Sequence, residues 1–363
     1  MQDALHVLYH VQGDAKTIEA RARAIAVEQS VEMPVEAIAD ARLRERIVGK
    51  VEAIAEIATG RFEVRIALAA ETVGEDAGQL LNMLFGNTSL QDDVTLQDAE
   101  IPASLAHAFG GPRHGLQALR ERVHAGRRAM TCSALKPQGL TPEQLAGLAR
   151  RFAEGGIDYI KDDHGFADQA YAPFAARVPA TVRALRETGA ATCYIPSLSG
   201  DLDTMREEIA LARDAGIDAV MLAPMIAGVA TLQRLRREYP QLIIMAHPAM
   251  AGAARIAPPF LIGKLFRLFG ADAVVFPNHG GRFGYSPATC RALADAALLA
   301  WHGLQQAVPV PAGGMTPARV PEMLEFYGAD TMLLIGGGLL AARENLTAET
   351  AAFVAAVKEH DYG

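Results

Sequence analysis

The segment GGIDYIKDDHG, residues 155–165, passes from a glycine pair through a short apolar run into Lys161, Asp162, Asp163 and His164. A run this short, bounded by glycine and charge, reads as a buried strand rather than a helix. The residues ahead of it, PEQLAGLARRFAEGG (142–156), carry apolar positions at helical spacing, so a helix leads into the strand. The same unit recurs. RRAMTCSAL (127–135), IDYIK (157–161), ATCYIP (191–196), DAVMLAP (218–224), QLIIMA (241–246), DAVVFP (272–277), VPVPA (308–312) and DTMLLIG (330–336) are eight such runs. They recur at roughly 20 to 35 residues, with helical stretches such as LDTMREEIALARDAG (202–216) between them. Eight strand and helix units over roughly 230 residues predict a parallel (β/α)8 TIM barrel.

The runs end in chemistry. Lys136 and Pro137 follow the first, Lys161, Asp163 and His164 the second, and His247 the fifth. Asn278, His279, Gly280, Gly281 and Arg282 follow the sixth, Gly313 and Gly314 the seventh, and Gly336, Gly337 and Gly338 the eighth. Barrels of this kind place their active sites at the C-terminal ends of the strands and often hold phosphate with the loops after strands seven and eight. Glycine there lets backbone N–H groups approach an anion. Taken singly, blander readings serve: a glycine pair marks a turn, a lysine at a strand end is solvated, and His247 is a satisfied core histidine. Polar groups gathered at several strand ends on one rim point instead to an enzyme. Alternation along the extended segment puts Lys161 and Asp163 on one face and turns Asp162 away.

The first hundred residues have a different rhythm. ALHVLYHV (4–11) reads as a strand, DAKTIEARARAIAVEQ (14–29) as a helix, and IVGKVEAIAEI (47–57) with RFEVRIALAA (61–70) as a hairpin. A helix through EDAGQLLNMLFG (75–86) and a strand near DDVTLQDAEI (92–101) complete β-α-β-β-α-β, a ferredoxin-like α+β domain. The chain is thus expected to be α/β overall, with this N-terminal domain over residues 1–105 and the barrel over 106–363.

Composition narrows the class. Half of the 363 residues are apolar and 21% are charged, enough to bury a large core. The longest nearly apolar stretch, AVMLAPMIAGVATL (219–232), contains a proline and falls short of the roughly 18 residues of a membrane span. Three scattered cysteines, Cys132, Cys193 and Cys290, fit neither a disulfide framework nor a CxxC zinc site, and a reducing cytoplasm is expected. A net charge of −8 without a basic run argues against nucleic acid and for a small-molecule partner.

The polar rim resembles a known family. GGIDYIKDDHG is similar to the segment of the RuBisCO large-subunit fold in which a lysine reacts with carbon dioxide, and the whole chain resembles the RuBisCO-like proteins that do not fix carbon dioxide. The resemblance implies a carbamate on Lys161 that holds Mg2+ together with Asp163, and places His164 where the family has a glutamate. Imidazole suits Mg2+ less well than carboxylate, so His164 is either a third ligand, the mark of another ion, or a proton carrier. SALKPQGL (133–140) resembles the segment with the proton-transferring lysine, making Lys136 the acid–base candidate, while Gln138 and Gly139 stand where the family has a second lysine. LIIMAHPAMAG (242–252) places His247 at a substrate-contacting position, with Pro248 in place of a phosphate-gripping arginine. FPNHGGRFGYS (276–286) corresponds to the mobile loop, without the carboxylation lysine but with Arg282 nearby and His279 as a second proton carrier. PAGGM and LLIGGG resemble the phosphate loops, with Gly313, Gly314, Gly336 and Gly337 as phosphate contacts. By the same resemblance Glu28 of AIAVEQS and Asn87 of LFGNTS reach into a partner chain's site, which implies a homodimer or a larger even-numbered assembly.

The departures imply a substrate with one phosphate and no true carboxylase activity. What remains is a device for stabilising an enediolate with Mg2+ and moving a proton. KDDHG-x-ADQ, AHPAMAG, PNHGGRFGYS and PAGGM look most like the group acting on 3-oxo-isoapionate 4-phosphate. The expected activity is therefore decarboxylation of that phosphorylated 3-oxo sugar acid. The alternatives are transcarboxylation with hydrolysis of the same substrate, or enolase or isomerase chemistry on a methylthio sugar phosphate. The last needs an apolar recess for the thioether, which no stretch of the sequence identifies.

Overall fold

Alternation in the first strand puts Leu5, Val7, Tyr9 and Val11 on one buried face. In the computed structural model, which describes residues 4–362, this strand β1 (Ala4–Gln12) lies between β3 (Arg61–Ala69) and β4 (Val94–Glu100). With β2 (Lys50–Ala58) at the edge, the order is β2-β3-β1-β4, antiparallel throughout. The helices Ile18–Glu28 and Ala77–Phe85 share its apolar cluster, and the Tyr9 hydroxyl donates to the Leu84 carbonyl at 2.6 Å. This is the expected ferredoxin-like arrangement. The edge strand β2 is mostly exposed, and register shifts near Val51 and Glu56 twist it, which discourages pairing with another sheet. A helix over Ala41–Ile47, capped by Asp40, was not anticipated; it buries none of its residues and so leaves no apolar period to read.

All eight apolar runs are strands of one parallel sheet: β5 (Met130–Leu135), β6 (Tyr159–Asp162), β7 (Cys193–Ile195), β8 (Ala219–Leu222), β9 (Ile243–Ala246), β10 (Ala273–Pro277), β11 (Val308–Ala312) and β12 (Met332–Leu334). The order β7-β6-β5-β12-β11-β10-β9-β8 leaves β7 and β8 as neighbours, and a bridge between Ser197 and Met221 joins them beyond the end of β7. Inside, Met130, Cys132, Tyr159, Ile195, Met221, Met245, Val275 and Val310 form a packed core, not a pore. Leu116 and Leu119 of the helix Gly115–Arg122 belong to the same cluster, and Tyr159 donates to the Leu119 carbonyl, so this helix plugs the N-terminal end. The two units are stitched at Leu96, which exchanges backbone hydrogen bonds with Arg255 and Ala257 of the loop after β9. Among the described residues no helix is long and apolar enough to cross a membrane.

Four strands are preceded by aspartate, and arginine takes each one. Asp158 before β6 accepts both guanidinium nitrogens of Arg128 at 2.7 Å as well as the Thr131 amide and hydroxyl. Asp272 before β10 accepts from Arg236 and from the amides of Arg113, His114 and Ile244. Asp218 and Asp330 pair with Arg122 and Arg120, but their side chains are 50% and 52% exposed. Removing one partner of a buried pair strands the other charge, whereas an exposed pair contributes little. Asp158→Ala and Asp272→Ala should each lose about 3–5 kcal/mol of unfolding free energy, and Asp218→Ala and Asp330→Ala less than about 1 kcal/mol, as measured by urea denaturation.

Candidate active site

The extended end of β6 sorts its side chains by alternation. Lys161 and Asp163 turn toward the C-terminal mouth of the barrel. Asp162, fully buried, turns outward against Arg177 and Tyr194. Lys136, just past β5, meets Asp163 across the mouth, with its Nζ 2.7 Å from Oδ2. The other carboxylate oxygen of Asp163 faces Nδ1 of His164 at 3.2 Å and accepts the Gly165 amide at 2.9 Å. The ring of His164 stacks on His247, from the loop after β9, with centroids 4.6 Å apart and planes within 4°. Lys136, Lys161, Asp163, His164 and His247 thus form one cluster from three strand ends.

Burial sets its charge states. It raises the Asp163 carboxyl, but hydrogen bonds from His164, Lys136 and the Gly165 amide outweigh it and hold this group far below the usual carboxylate range. Burial pushes Lys161 down from the ordinary lysine value, only partly opposed by Cys132 and by Asp163 and Asp162, and its Nζ donates to the Asp162 carbonyl at 2.9 Å. His247 is pushed down to about 2, first by burial and then by its electrostatic interaction with Lys161 and the neighbouring His164 ring, so its ring is neutral and its Nδ1 accepts the Ala249 amide.

The glycine loops divide into two kinds. Gly313 and Gly314 have φ of +81° and +66°, and a Cβ on Gly314 would sit 2.3 Å from the Cα of Gly281. Their identity is demanded by the loop after β10, which packs directly onto them. Gly336 and Gly337 have neither a positive φ nor any atom within 4 Å of a Cβ. The space above them is open.

Other candidate residues lie apart. The His279 ring packs on Phe326 at 4.6 Å and near Tyr327, both on the helix Val320–Tyr327, and its Nε2 is buried without a partner. Asn278 is held by the same helix through the Tyr327 hydroxyl at 2.6 Å. Arg282 is exposed and stacks on the neighbouring Phe283 ring. In the N-terminal domain Asn87 donates to Glu28 at 2.9 Å and to Glu32 at 3.1 Å. Among the described residues, no hydrogen bond or ion pair joins Glu28 or Asn87 to the cluster.

Residues 115–359 match the family model of the ribulose bisphosphate carboxylase large chain, catalytic domain. A 5-methylthioribulose-1-phosphate isomerase from Rhodospirillum rubrum is 59% identical over 98% of this chain and 97% of its own length. This chain is a RuBisCO-like protein. A 2,3-diketo-5-methylthiopentyl-1-phosphate enolase from Geobacillus kaustophilus is 32% identical over 82% of this chain and 75% of its own length. The crystal structure of a Rubisco-like protein from Rhodopseudomonas palustris superimposes with a TM-score of 0.93 at 52% identity, covering 99% of both chains. These relatives favour the enolase and isomerase alternative over the 3-oxo-isoapionate group.

Whether the cluster suits a divalent ion turns on Lys161. Among the described residues no three His, Cys, Asp or Glu side chains converge as a metal site. Here the RuBisCO-like chain offers one carboxylate, Asp163, and the imidazole of His164, with His247 stacked behind it. An amine that burial drives toward its neutral form is what attack on carbon dioxide requires. As a carbamate, Lys161 would supply the missing anionic oxygen, and the donor set then fits.

Several features of this RuBisCO-like protein could not be read from sequence. Asp168 and Gln169, within the stretch that resembles the decarboxylase group, brace the loop itself: Asp168 accepts the Phe174 amide, and Gln169 bonds Gly165 and Ala167. Gln29, 3% exposed, ties Asn82 and Met83 to Thr88 beside Asn87. Glu208, on the helix Leu202–Asp214, accepts the Ser199 amide at 2.9 Å, and burial lifts its carboxyl to about 7 against that bond and the nearby Arg177.

Gly314→Ala should cost about 1–3 kcal/mol of stability. Gly337→Ala should stay within about 0.5 kcal/mol of wild type yet raise KM for a phosphate ester about tenfold, as read by thermal unfolding beside steady-state kinetics. Because the folded protein holds Glu208 protonated above its unfolded value, that group's contribution is complete below about pH 4.5 and is lost as pH rises to about 7. Glu208→Gln should remove on the order of 1–3 kcal/mol of this fall, visible as a flatter plot of unfolding free energy against pH.

Proposed function

We propose that the protein isomerises a methylthio sugar phosphate, 5-methylthioribulose 1-phosphate or a near analogue. The observation that carries this reading is 59% identity, across nearly the full length of both chains, to the isomerase so named. It replaces the decarboxylase expectation, whose distinctive Asp168 and Gln169 have a local structural cause. Isomerisation needs a proton taken from a carbon beside a ketone and a proton returned along the chain. Lys136, which faces the mouth and is oriented by Asp163 at 2.7 Å, is the group assigned to that transfer. Lys161 as a carbamate, Asp163 and His164 would hold Mg2+ or a similar ion. Such an ion would polarise the substrate oxygens beside it. His247, neutral and held by the Ala249 amide, is positioned to hydrogen-bond a hydroxyl, and Gly336 and Gly337 leave room for one phosphate.

The thioether has candidate contacts that the sequence did not single out. Met250 and Phe283, 60% and 55% exposed, stand on the loops after the adjacent strands β9 and β10. Met250 holds φ of +65°, a conformation that a non-glycine residue seldom keeps without reason. The Phe283 ring lies 3.7 Å from where a Cβ on Gly313 would be, over the inner rim. These apolar groups give a methylthio tail a place that a sugar acid would not use. The homodimer remains part of the proposal: Glu28 and Asn87, bonded to each other and, through Asn87, to Glu32, are assigned to the mouth of a second copy.

Proton NMR in D2O with Mg2+, bicarbonate and 5-methylthioribulose 1-phosphate should show conversion to an isomeric ketose phosphate with deuterium entering at carbon. Lys136→Ala and Lys161→Ala should each lower kcat about 10²–10⁴-fold while leaving the thermal midpoint near wild type. Release of carbon dioxide from 3-oxo-isoapionate 4-phosphate, without turnover of the methylthio compound, would restore the decarboxylase. Full activity of Lys161→Ala would sink the carbamate.

A further inference from the structure

Arg177 is a full charge with no exposed surface, and it sits directly behind the cluster. Its Nε donates to Asp162 Oδ2 at 3.2 Å, and one terminal nitrogen lies 3.1 Å from the same oxygen as an ion pair without forming a hydrogen bond. Its other terminal nitrogen donates to the carbonyls of Ala167 at 3.0 Å and Ala172 at 2.7 Å. The guanidinium also lies over the Phe166 and Phe174 rings, at 5.2 and 5.4 Å from their centroids. Asp162 also accepts the Tyr194 hydroxyl at 2.6 Å and the Ser197 amide at 3.1 Å. One guanidinium therefore grips the end of β6, the middle of the loop that follows it and the last turn before the next helix.

We propose that Arg177 is a positioning residue for Lys161, Asp163 and His164, acting through Asp162 and the two loop carbonyls. Alternation makes this possible: in extended backbone, pinning Asp162 outward holds Lys161 and Asp163 inward, and a one-residue slip would exchange them. Stability alone does not account for the pair. Desolvating two charges offsets most of their attraction, and well-packed apolar residues in the same place are often neutral or better. The charges add geometry, because a planar fork with five donors satisfies acceptors that a lysine or an apolar chain cannot span together. Support of this kind behind a metal ligand typically changes metal affinity or activity 10- to 100-fold. The inference rests on the reading of the cluster as a metal-assisted isomerase site, and its test separates the two.

The test compares Arg177→Lys with Arg128→Lys, which weakens a buried arginine–aspartate pair of the same type at the opposite end of the barrel. Both variants should lose stability. Only Arg177→Lys should raise the Kd for Mn2+, measured by EPR in the presence of bicarbonate, about 10- to 100-fold. The same variant alone should lower kcat by a similar factor with KM within about twofold, and alone should speed amide hydrogen exchange across residues 163–173. If the wild type turns over no methylthio sugar phosphate, the isomerase reading falls while the Mn2+ and exchange measurements still judge Arg177. If no Mn2+ binds either, exchange decides: faster exchange in 163–173 confined to Arg177→Lys supports the positioning role. Matching changes in both variants, limited to stability, overturn it.

Discussion

The outward burial of Asp162 is the constraint on which the site depends. A strand has two faces, and the end of β6 must present Lys161 and Asp163 to the mouth without letting the polar residue between them reach solvent. Burying a carboxylate is costly unless its oxygens are filled. Here Arg177, Tyr194 and the Ser197 amide fill them. This satisfied group makes the twisted end of a four-residue strand a defined platform, and the neighbours of Asp162 inherit its orientation.

The barrel uses the same two residue types at its two ends for different purposes. At the N-terminal end Asp158 and Asp272 accept arginine and backbone donors, Asp158 tying the start of β6 to β5 and Asp272 tying β9 and β10 to the helix Val229–Glu238. At the C-terminal end Asp163 is loaded with a lysine, a histidine and one amide, an arrangement that keeps it ionised and turned toward the mouth. The first kind of contact is closed on every side and contributes stability. The second involves Lys136 and His164, which are 36% and 48% exposed, so its hydrogen bonds can be exchanged for those of a ligand. This division lets the rim change its chemistry without disturbing the fold.

The legible part of the fold was the part written in local periodicity. Eight apolar runs became eight strands because each is buried on both faces, and the alternation of ALHVLYHV became the inner face of β1. The cluster of Lys136, Lys161, Asp163, His164 and His247 was legible because strand ends converge whatever the loops do. What escaped depends on contacts distant along the chain or on loop shape. Nothing near Arg177 in the sequence announces that it lies behind Asp162, fifteen residues earlier. Nothing in GG distinguishes Gly314, pressed against Gly281, from Gly337, which faces open space. His279 is adjacent to the right strand, but its ring follows the aromatic pair on the helix behind it.

The choice of reaction rests on the rim more than on the cluster. Proton abstraction beside a ketone and loss of carbon dioxide from a 3-oxo acid both leave an enediolate, so a site built to stabilise that charge serves either. Lys136, Asp163 and His164 therefore cannot discriminate by themselves. Discrimination comes from groups that meet the part of the substrate that does not react, because binding energy gained there orients the reacting end. A carboxylate would call for a cation opposite it, and the nearest arginine on the loop after β10, Arg282, is turned onto Phe283. An uncharged thioether calls for soft, apolar contact, which Met250 and Phe283 offer on adjacent loops. Under the isomerase reading proposed above, these two side chains would favour a methylthio substrate while taking no part in the proton transfer.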